Sequence, residues 1–298
     1  MCGIVGVHLK APELHGRLGA LLAPMLEAMT SRGPDSAGIA LYDDDLPEGA
    51  FRYSLQPLAA ELDWEDLAAG LRDAVGDDVT VQRRGRGAVL VAKGDDGRFL
   101  RALERSGAPV RLVGHGTSME IFKDVGAPAA ICERYGVRQR VGYQGLGHTR
   151  MATESAVTTE HSHPFAAAAD LCLVHNGTFS NYATVRRRLT DEGVRFDTDN
   201  DSEVAARFIA HQLEQGMDLG DALRMVCKTM DGFFTLLVAS RTQFAVVRDA
   251  SACKPAVLAE TDRYVAMASE YHALAGLPGV EDADVFEPMP EEVHVWSR

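Results

Sequence analysis

The chain has 298 residues, is 46% hydrophobic and carries a formal net charge of -13. That is enough apolar material for a full core and predicts one large domain over residues 2–298. The acidic balance argues against a nucleic-acid surface, which needs clustered Lys and Arg, and no apolar run approaches the roughly 20 residues that span a bilayer. The first residues also lack the charged and long apolar regions of a signal peptide, so a cytoplasmic protein without membrane contact is expected.

In chain order, residues 2–7 read as a short apolar strand. Residues 17–29 then place Leu18, Leu21, Leu22, Met25 and Met29 at helical spacing. The loop Ser31-Arg32-Gly33-Pro34-Asp35-Ser36 holds turn chemistry and leads to a second strand over 39–42. Between about 43 and 140 the pattern mixes acidic loops with a strand over 88–92 and helical stretches around 64–74 and 119–125. Residues 171–175 form another apolar strand that ends in Asn176-Gly177, and a helix over about 202–213 follows, with Val204, Ala205, Phe208, Ile209 and Leu213 on one side. Of the basic runs, Gln82 to Arg86 lies in the middle segment, and Arg186 to Arg188 reads as the solvated face of a helix. The last third is rich in β segments at 233–239, 244–248, 256–259 and 264–268, whose short links imply antiparallel pairing. Both faces of these apolar strands must be covered, which predicts a layered α+β fold with sheets sandwiched between helices.

Five cysteines (Cys2, Cys132, Cys172, Cys227, Cys253) form an odd set without a CxxC pair, the pattern of reduced thiols. Four of them read as small apolar core residues. Cys2 differs because it follows Met1, and removal of that methionine would leave a cysteine with a free α-amine. Such an amine has a pKa of about 7.7 to 8.0, so near neutrality part of it can accept the thiol proton. Nucleophile and base would then belong to one residue, although position alone is weak evidence and favours a small apolar residue opening a strand.

Further blocks give Cys2 its context. The start Met1-Cys2-Gly3-Ile4-Val5-Gly6 is followed by Ser31-Arg32-Gly33-Pro34-Asp35-Ser36-Ala37-Gly38 and by Gly147-His148-Thr149-Arg150-Met151-Ala152-Thr153. Next come His163-Pro164-Phe165, Val174-His175-Asn176-Gly177 and Asp199-Asn200-Asp201-Ser202-Glu203. This series resembles the class II glutamine amidotransferases, a branch of the N-terminal-nucleophile hydrolases. The wording from Thr149 to Ser155 is most similar to the amidotransferase portion of glutamate synthases and the N-methylglutamate synthase small subunit.

The resemblance implies a four-layer αββα sandwich with an insertion at about 43–140 that matches no part of the family. It implies Cys2 as the nucleophile, with the Asn176 side-chain amide and the Gly177 backbone N-H as oxyanion donors. Arg150 and Thr153 would bind the α-carboxylate of L-glutamine, Asp201 its α-ammonium, and Arg32 would buttress the nucleophile's backbone. Each role has a plainer alternative. Asn-Gly is a common hairpin dipeptide, Asp201 stands where a helix cap is expected, and Thr153 could stabilise a turn.

Asp197 to Asp201 imitates the opening of a calcium loop, but Ser202 and Phe208 occupy the places that need Gly and Glu. His161 and His163 lack a third ligand, so no metal and no cofactor are expected in this chain. Nothing in the sequence resembles an ammonia-accepting domain. The expected partners are therefore L-glutamine and one or more synthase subunits in a hetero-oligomer, with flavin and iron-sulfur clusters on those partner chains. Two rivals remain, a non-catalytic glutamine-sensing subunit and a stand-alone amidase of the wider N-terminal-nucleophile group.

Overall fold

The computed structural model describes residues 2–59, 61–76, 78–151 and 158–298. The chain opens with β1 (Gly3–Leu9), α1 (Leu18–Ala28), β2 (Ser36–Tyr42) and β3 (Ala50–Pro57), followed by α2 (Trp64–Val75), β4 (Val79–Arg84), β5 (Gly87–Lys93) and α3 (Asp96–Ser106). It continues with β6 (Val110–Gly116), β7 (Met119–Val125), α4 (Pro128–Arg134), β8 (Gln144–Arg150), β9 (Phe165–Ala168) and β10 (Leu171–Phe179). After α5 (Tyr182–Asp191), α6 (Asp201–Glu214) and α7 (Leu219–Thr229) come β11 (Gly232–Ala239), β12 (Gln243–Arg248), β13 (Val257–Glu260), β14 (Tyr264–Ala268), β15 (Asp284–Phe286) and β16 (Val293–Ser297).

Two antiparallel sheets form the body. One has seven strands in the order β15-β13-β14-β1-β8-β2-β7, and the other has five in the order β16-β12-β11-β10-β9. They face each other across a core in which Ile4, Tyr42 and Leu146 of the first sheet meet Val174, Leu237 and Val246 of the second. The outer face of the seven-stranded sheet is covered by α1, through Leu22, Met25 and Leu26. The outer face of the five-stranded sheet is covered by α5, α6 and α7, through Leu189, Phe208 and Leu223. The layers therefore run helix, sheet, sheet, helix, the αββα order expected. The C-terminal β segments pair antiparallel as predicted but divide between the sheets, β11 with β12 in one and β13 with β14 in the other.

The middle of the chain has its own architecture. Strands β3 to β6 form a separate four-stranded sheet in the order β4-β5-β3-β6, and α2 and α3 pack on it around Tyr53, Trp64, Leu71, Leu90 and Phe99. Both helices carry local start and stop signals. Asp63 accepts hydrogen bonds from the N-H groups of Glu65 and Asp66, and Asp95 accepts one from Arg98, while Gly76 and Gly107 close the helices in the left-handed conformation. The segment 119–125, predicted helical, is instead strand β7 and pairs with β2 at the edge of the seven-stranded sheet. Its charged residues face protein rather than water. Glu120 lies against Arg84 at 3.1 Å, and Lys123 donates to the Ser162 carbonyl at 3.0 Å.

Candidate active site

Strand periodicity brings the predicted residues to one end of the sandwich. Side chains alternate between the two faces of a sheet. In β8, Leu146 lies in the core between the sheets, so His148 and Arg150 share that face, whereas Thr149 points the other way and donates to the Met29 carbonyl behind α1. In β1, Ile4 lies in the same inter-sheet core, and Cys2 has its parity. In β10, Cys172 and Val174 do the same, and Asn176 follows at the next inward position. The antiparallel register pairs Gly3 with Thr149, which sets Cys2 beside Arg150.

Cys2 is a free, half-buried cysteine at the start of β1. Its backbone carbonyl receives two side-chain donors, Arg32 Nε at 2.9 Å and Asn176 Nδ2 at 3.1 Å. Arg32 is buried, and its Nη1 pairs with Glu270 Oε1 at 2.7 Å, so the guanidinium is held from both sides. Ile4, two residues on in β1, is fixed as well, since its N-H donates to Ser269 Oγ at 2.9 Å. Arg150 is buried at the end of β8, and the Ser31–Ser36 loop closes over its backbone. A Cβ on Gly33 would lie 2.5 Å from Arg150 N, and Asp35 N donates to Arg150 O at 3.1 Å.

The Asn176-Gly177 dipeptide makes no hairpin. Strand β10 runs through it to Phe179, pairing Asn176 with Thr235 and Gly177 with Phe234 of β11. Gly177 has φ +143°, and a Cβ there would lie 1.8 Å from the Phe233 carbonyl oxygen, so both conformation and space demand glycine. The Asp201 alternative resolves in a similar way. The cap of α6 is Asn200, whose side chain accepts from Ser202 N at 2.8 Å, and Asp201 is the first helical residue. Its Oδ2 accepts from Phe179 N at 2.9 Å, which ties it to the end of β10. Thr153 lies outside the described residues. The structure thus gathers Cys2, Arg32, Arg150, Asn176, Gly177 and Asp201 around the ends of β1, β8 and β10.

Four nearby residues were given no role by the sequence reading. Glu270 is 238 positions from Arg32 and carries no local signal. His148, His175 and Ser202 lie inside the motif blocks already quoted, and the shared parity of His148 and Arg150 was the available clue. His148 Nε2 lies 3.0 Å from the His175 carbonyl, and His175 Nδ1 lies 2.8 Å from Ser202 Oγ. The His163 ring sits 4.0 Å from that of His148 and edge-on to Phe165.

Burial pushes all three imidazoles toward the neutral form. It lowers His148 to about 3, His163 well below its usual range with help from His148, His175, Lys123 and Arg150, and His175 below 6.5. An unfolded histidine takes up its proton below about pH 6.5, whereas these are held toward the neutral form, so below that pH the unfolded chain binds more protons, for His148 down to about pH 3. Their stabilising contribution is complete above pH 6.5 and is lost on acidification. Melting temperature should accordingly fall from pH 7 to pH 5, and His163→Met should flatten that slope because neither His163 nitrogen has a hydrogen-bond partner among the described residues. Equal slopes for the two proteins, measured by calorimetry, would contradict this account.

Comparison with known proteins points the same way. A family model described as a glutamine amidotransferase domain matches residues 148–276. The glutamine amidotransferase-like protein GlxB of Rhizobium meliloti (strain 1021) is 48% identical across all of this chain and 99% of its own length. Among solved structures, the allosteric regulatory enzyme of purine biosynthesis aligns with TM-score 0.64 at 18% identity over 99% of this chain and 46% of that one. The glutamine phosphoribosylpyrophosphate amidotransferase of B. subtilis aligns with TM-score 0.60 at 18% identity over 99% of this chain and 47% of that one. The chain therefore spans about half the length of these structural neighbours, and at such identity they bear on the fold alone. Among the described residues no helix is long and apolar enough to cross a membrane.

Proposed function

Because the chain belongs to the class II glutamine amidotransferases, we propose that it performs the glutaminase half-reaction through a Cys2 thioester and passes ammonia to a synthase partner. The observation that carries the reading is the convergence of Asn176 Nδ2 and Arg32 Nε on the Cys2 carbonyl, which puts a potential oxyanion donor in contact with the nucleophile's own backbone.

In this mechanism the free α-amine of Cys2 accepts the thiol proton as sulfur attacks the side-chain amide carbon of L-glutamine. The Asn176 amide and the Gly177 N-H stabilise the tetrahedral oxyanion. Collapse of that intermediate breaks the C-N bond, and the protonated amine delivers its proton to the leaving ammonia. Water then adds to the γ-glutamyl thioester, the amine taking a proton from it and returning one to the departing sulfur, which releases glutamate. Arg150 meets the α-carboxylate through two hydrogen bonds, and Asp201 meets the α-ammonium. Thr153 adds a hydroxyl to the carboxylate end.

The acceptor is assigned to another chain, of glutamate synthase-like or N-methylglutamate synthase-like type. Exposed apolar side chains flanking the site support a docked partner. Phe233 is 55% exposed beside Gly177, and Tyr271 is 49% exposed next to Glu270. Free-running hydrolysis wastes glutamine, so the isolated chain should release glutamate slowly and accelerate when its partner and acceptor are added. The test compares glutamate release by the chain alone with release in the presence of copurifying proteins and candidate acceptors. Flavin or iron-sulfur absorbance in those proteins would identify a glutamate synthase-like assembly. Full activity alone with no stable partner would favour a stand-alone amidase, and glutamine binding without hydrolysis in any combination would favour a sensor.

A further inference from the structure

Arg150 and Asp201 belong to different layers of the sandwich. Arg150 ends β8 in the seven-stranded sheet, whereas Asp201 begins α6 on the far side of the five-stranded sheet. A pair of charges that selects a free amino acid must hold a fixed separation, so the polar contacts that run between these packed layers bear on its geometry.

One chain of buried and half-buried hydrogen bonds makes that connection. His148 lies two residues before Arg150 on the same face of β8, and its Nε2 reaches the carbonyl of His175 on β10 at 3.0 Å. A carbonyl only accepts, so His148 carries its proton on Nε2. His175 in turn points to the helical layer, where Nδ1 meets Ser202 Oγ at 2.8 Å. Ser202 Oγ donates to Asp201 Oδ1 at 3.3 Å. The serine has one proton, and an ionised carboxylate cannot supply another, so both contacts are satisfied only when His175 Nδ1 donates to Ser202. Asp201 Oδ2 is occupied by Phe179 N, so each carboxylate oxygen is tethered to a separate group. His148, His175 and Ser202 are all buried, and the second ring nitrogens, His148 Nδ1 and His175 Nε2, have no partner among the described residues. Among the described residues the links of this chain are therefore the ring hydrogen bonds, and the rings also pack against His163 and Phe179.

We infer that His148, His175 and Ser202 are positioning residues that fix Asp201 relative to Arg150 and so set selectivity for a substrate bearing an α-ammonium beside its α-carboxylate. The inference rests on the proposed roles of Arg150 and Asp201 as the two ligands of the amino-acid head. None of the three positioning residues touches the substrate. Each acts through the placement of Asp201 or of the strand that carries Asn176.

The test uses the full chain with Cys2→Ala to prevent turnover, and two probes, L-glutamine and glutaramate, which is glutamine without the α-amino group. Binding of each is measured by calorimetry or by displacement. Ser202→Ala should weaken L-glutamine binding about tenfold, as expected for one lost link to a charged group, and leave glutaramate binding within about twofold. His148→Leu, which suits the apolar inter-sheet core, should reduce the same discrimination and serves if Ser202→Ala does not fold. Asp201→Ala should abolish the discrimination between the probes. If Asp201→Ala leaves discrimination intact, the assignment of Asp201 fails, and the inference with it. If Asp201→Ala abolishes it while Ser202→Ala and His148→Leu lower only the melting temperature, or weaken both probes equally, the chain is merely structural and the inference alone is overturned.

Discussion

Replacing Cys2 with alanine is expected to lower glutamine hydrolysis by at least about a thousandfold, because removing a nucleophile leaves only the binding and oxyanion contributions of the site. The fold should survive. Cys2 is half-buried and lies just before β1, whose first pairs are Gly3 with Thr149 and Ile4 with His148, so the ladder is made by residues other than Cys2. The carbonyl that receives Arg32 and Asn176 is backbone and remains in the variant. Cys2→Ser should be nearly as inactive, since a hydroxyl is a far weaker nucleophile than a thiol at neutral pH. Mass spectrometry of the active protein supplies the companion measurement. The α-amine acts as base only when Met1 has been removed, so the active species should begin at Cys2. Normal hydrolysis by Cys2→Ala, or full activity in a protein that retains Met1, would end this mechanism.

How far the sequence reveals the fold depends on where each segment's polar groups go. The strand at Cys2, helix α1 and the C-terminal strands are legible because their apolar periodicity reports one buried face or two. Strand β7 is not. Met119 and Ile121 lie in the inter-sheet core, but Glu120, Lys123 and Asp124 are also buried, paired with Arg84, the Ser162 carbonyl and Arg134 respectively. Buried charges with distant partners look like a solvated helical face when only neighbours in sequence are visible. The same limit hides the four-stranded sheet of β3 to β6, where Arg52 is buried against Asp43 at 2.6 Å. At the site, motif order supplied Cys2, Arg150, Asn176, Gly177 and Asp201, but Glu270 came only from the tertiary structure. The hairpin alternative at Asn176-Gly177 marks the converse limit. A local turn preference was overridden by the pairing of β10 with β11, which carries the glycine at φ +143° straight through a strand.

That overridden preference gives the second large effect. Asn176→Ala should lower turnover by about a hundred- to a thousandfold, the usual consequence of losing one oxyanion donor. Turnover should bear the loss rather than affinity. The oxyanion forms only as the thiol attacks, so a donor aimed at it contributes little to the bound ground state. Glutamine affinity in a Cys2→Ala background should stay within about threefold when Asn176→Ala is added. Arg150→Ala and Asp201→Ala should behave in the reverse sense. Each removes a charge-assisted contact of about 1.5 to 3 kcal/mol, which corresponds to about ten- to a hundredfold in affinity. The Asn176 amide also donates to the Cys2 carbonyl, but Arg32 donates to the same oxygen, so the nucleophile's backbone keeps a partner in the variant. Comparing kcat with the glutamine dissociation constant therefore separates the two roles. A normal kcat for Asn176→Ala would remove Asn176 from the chemistry and leave it as a brace on the Cys2 carbonyl, whereas an equal loss in kcat and affinity would mean that the strand end itself had moved.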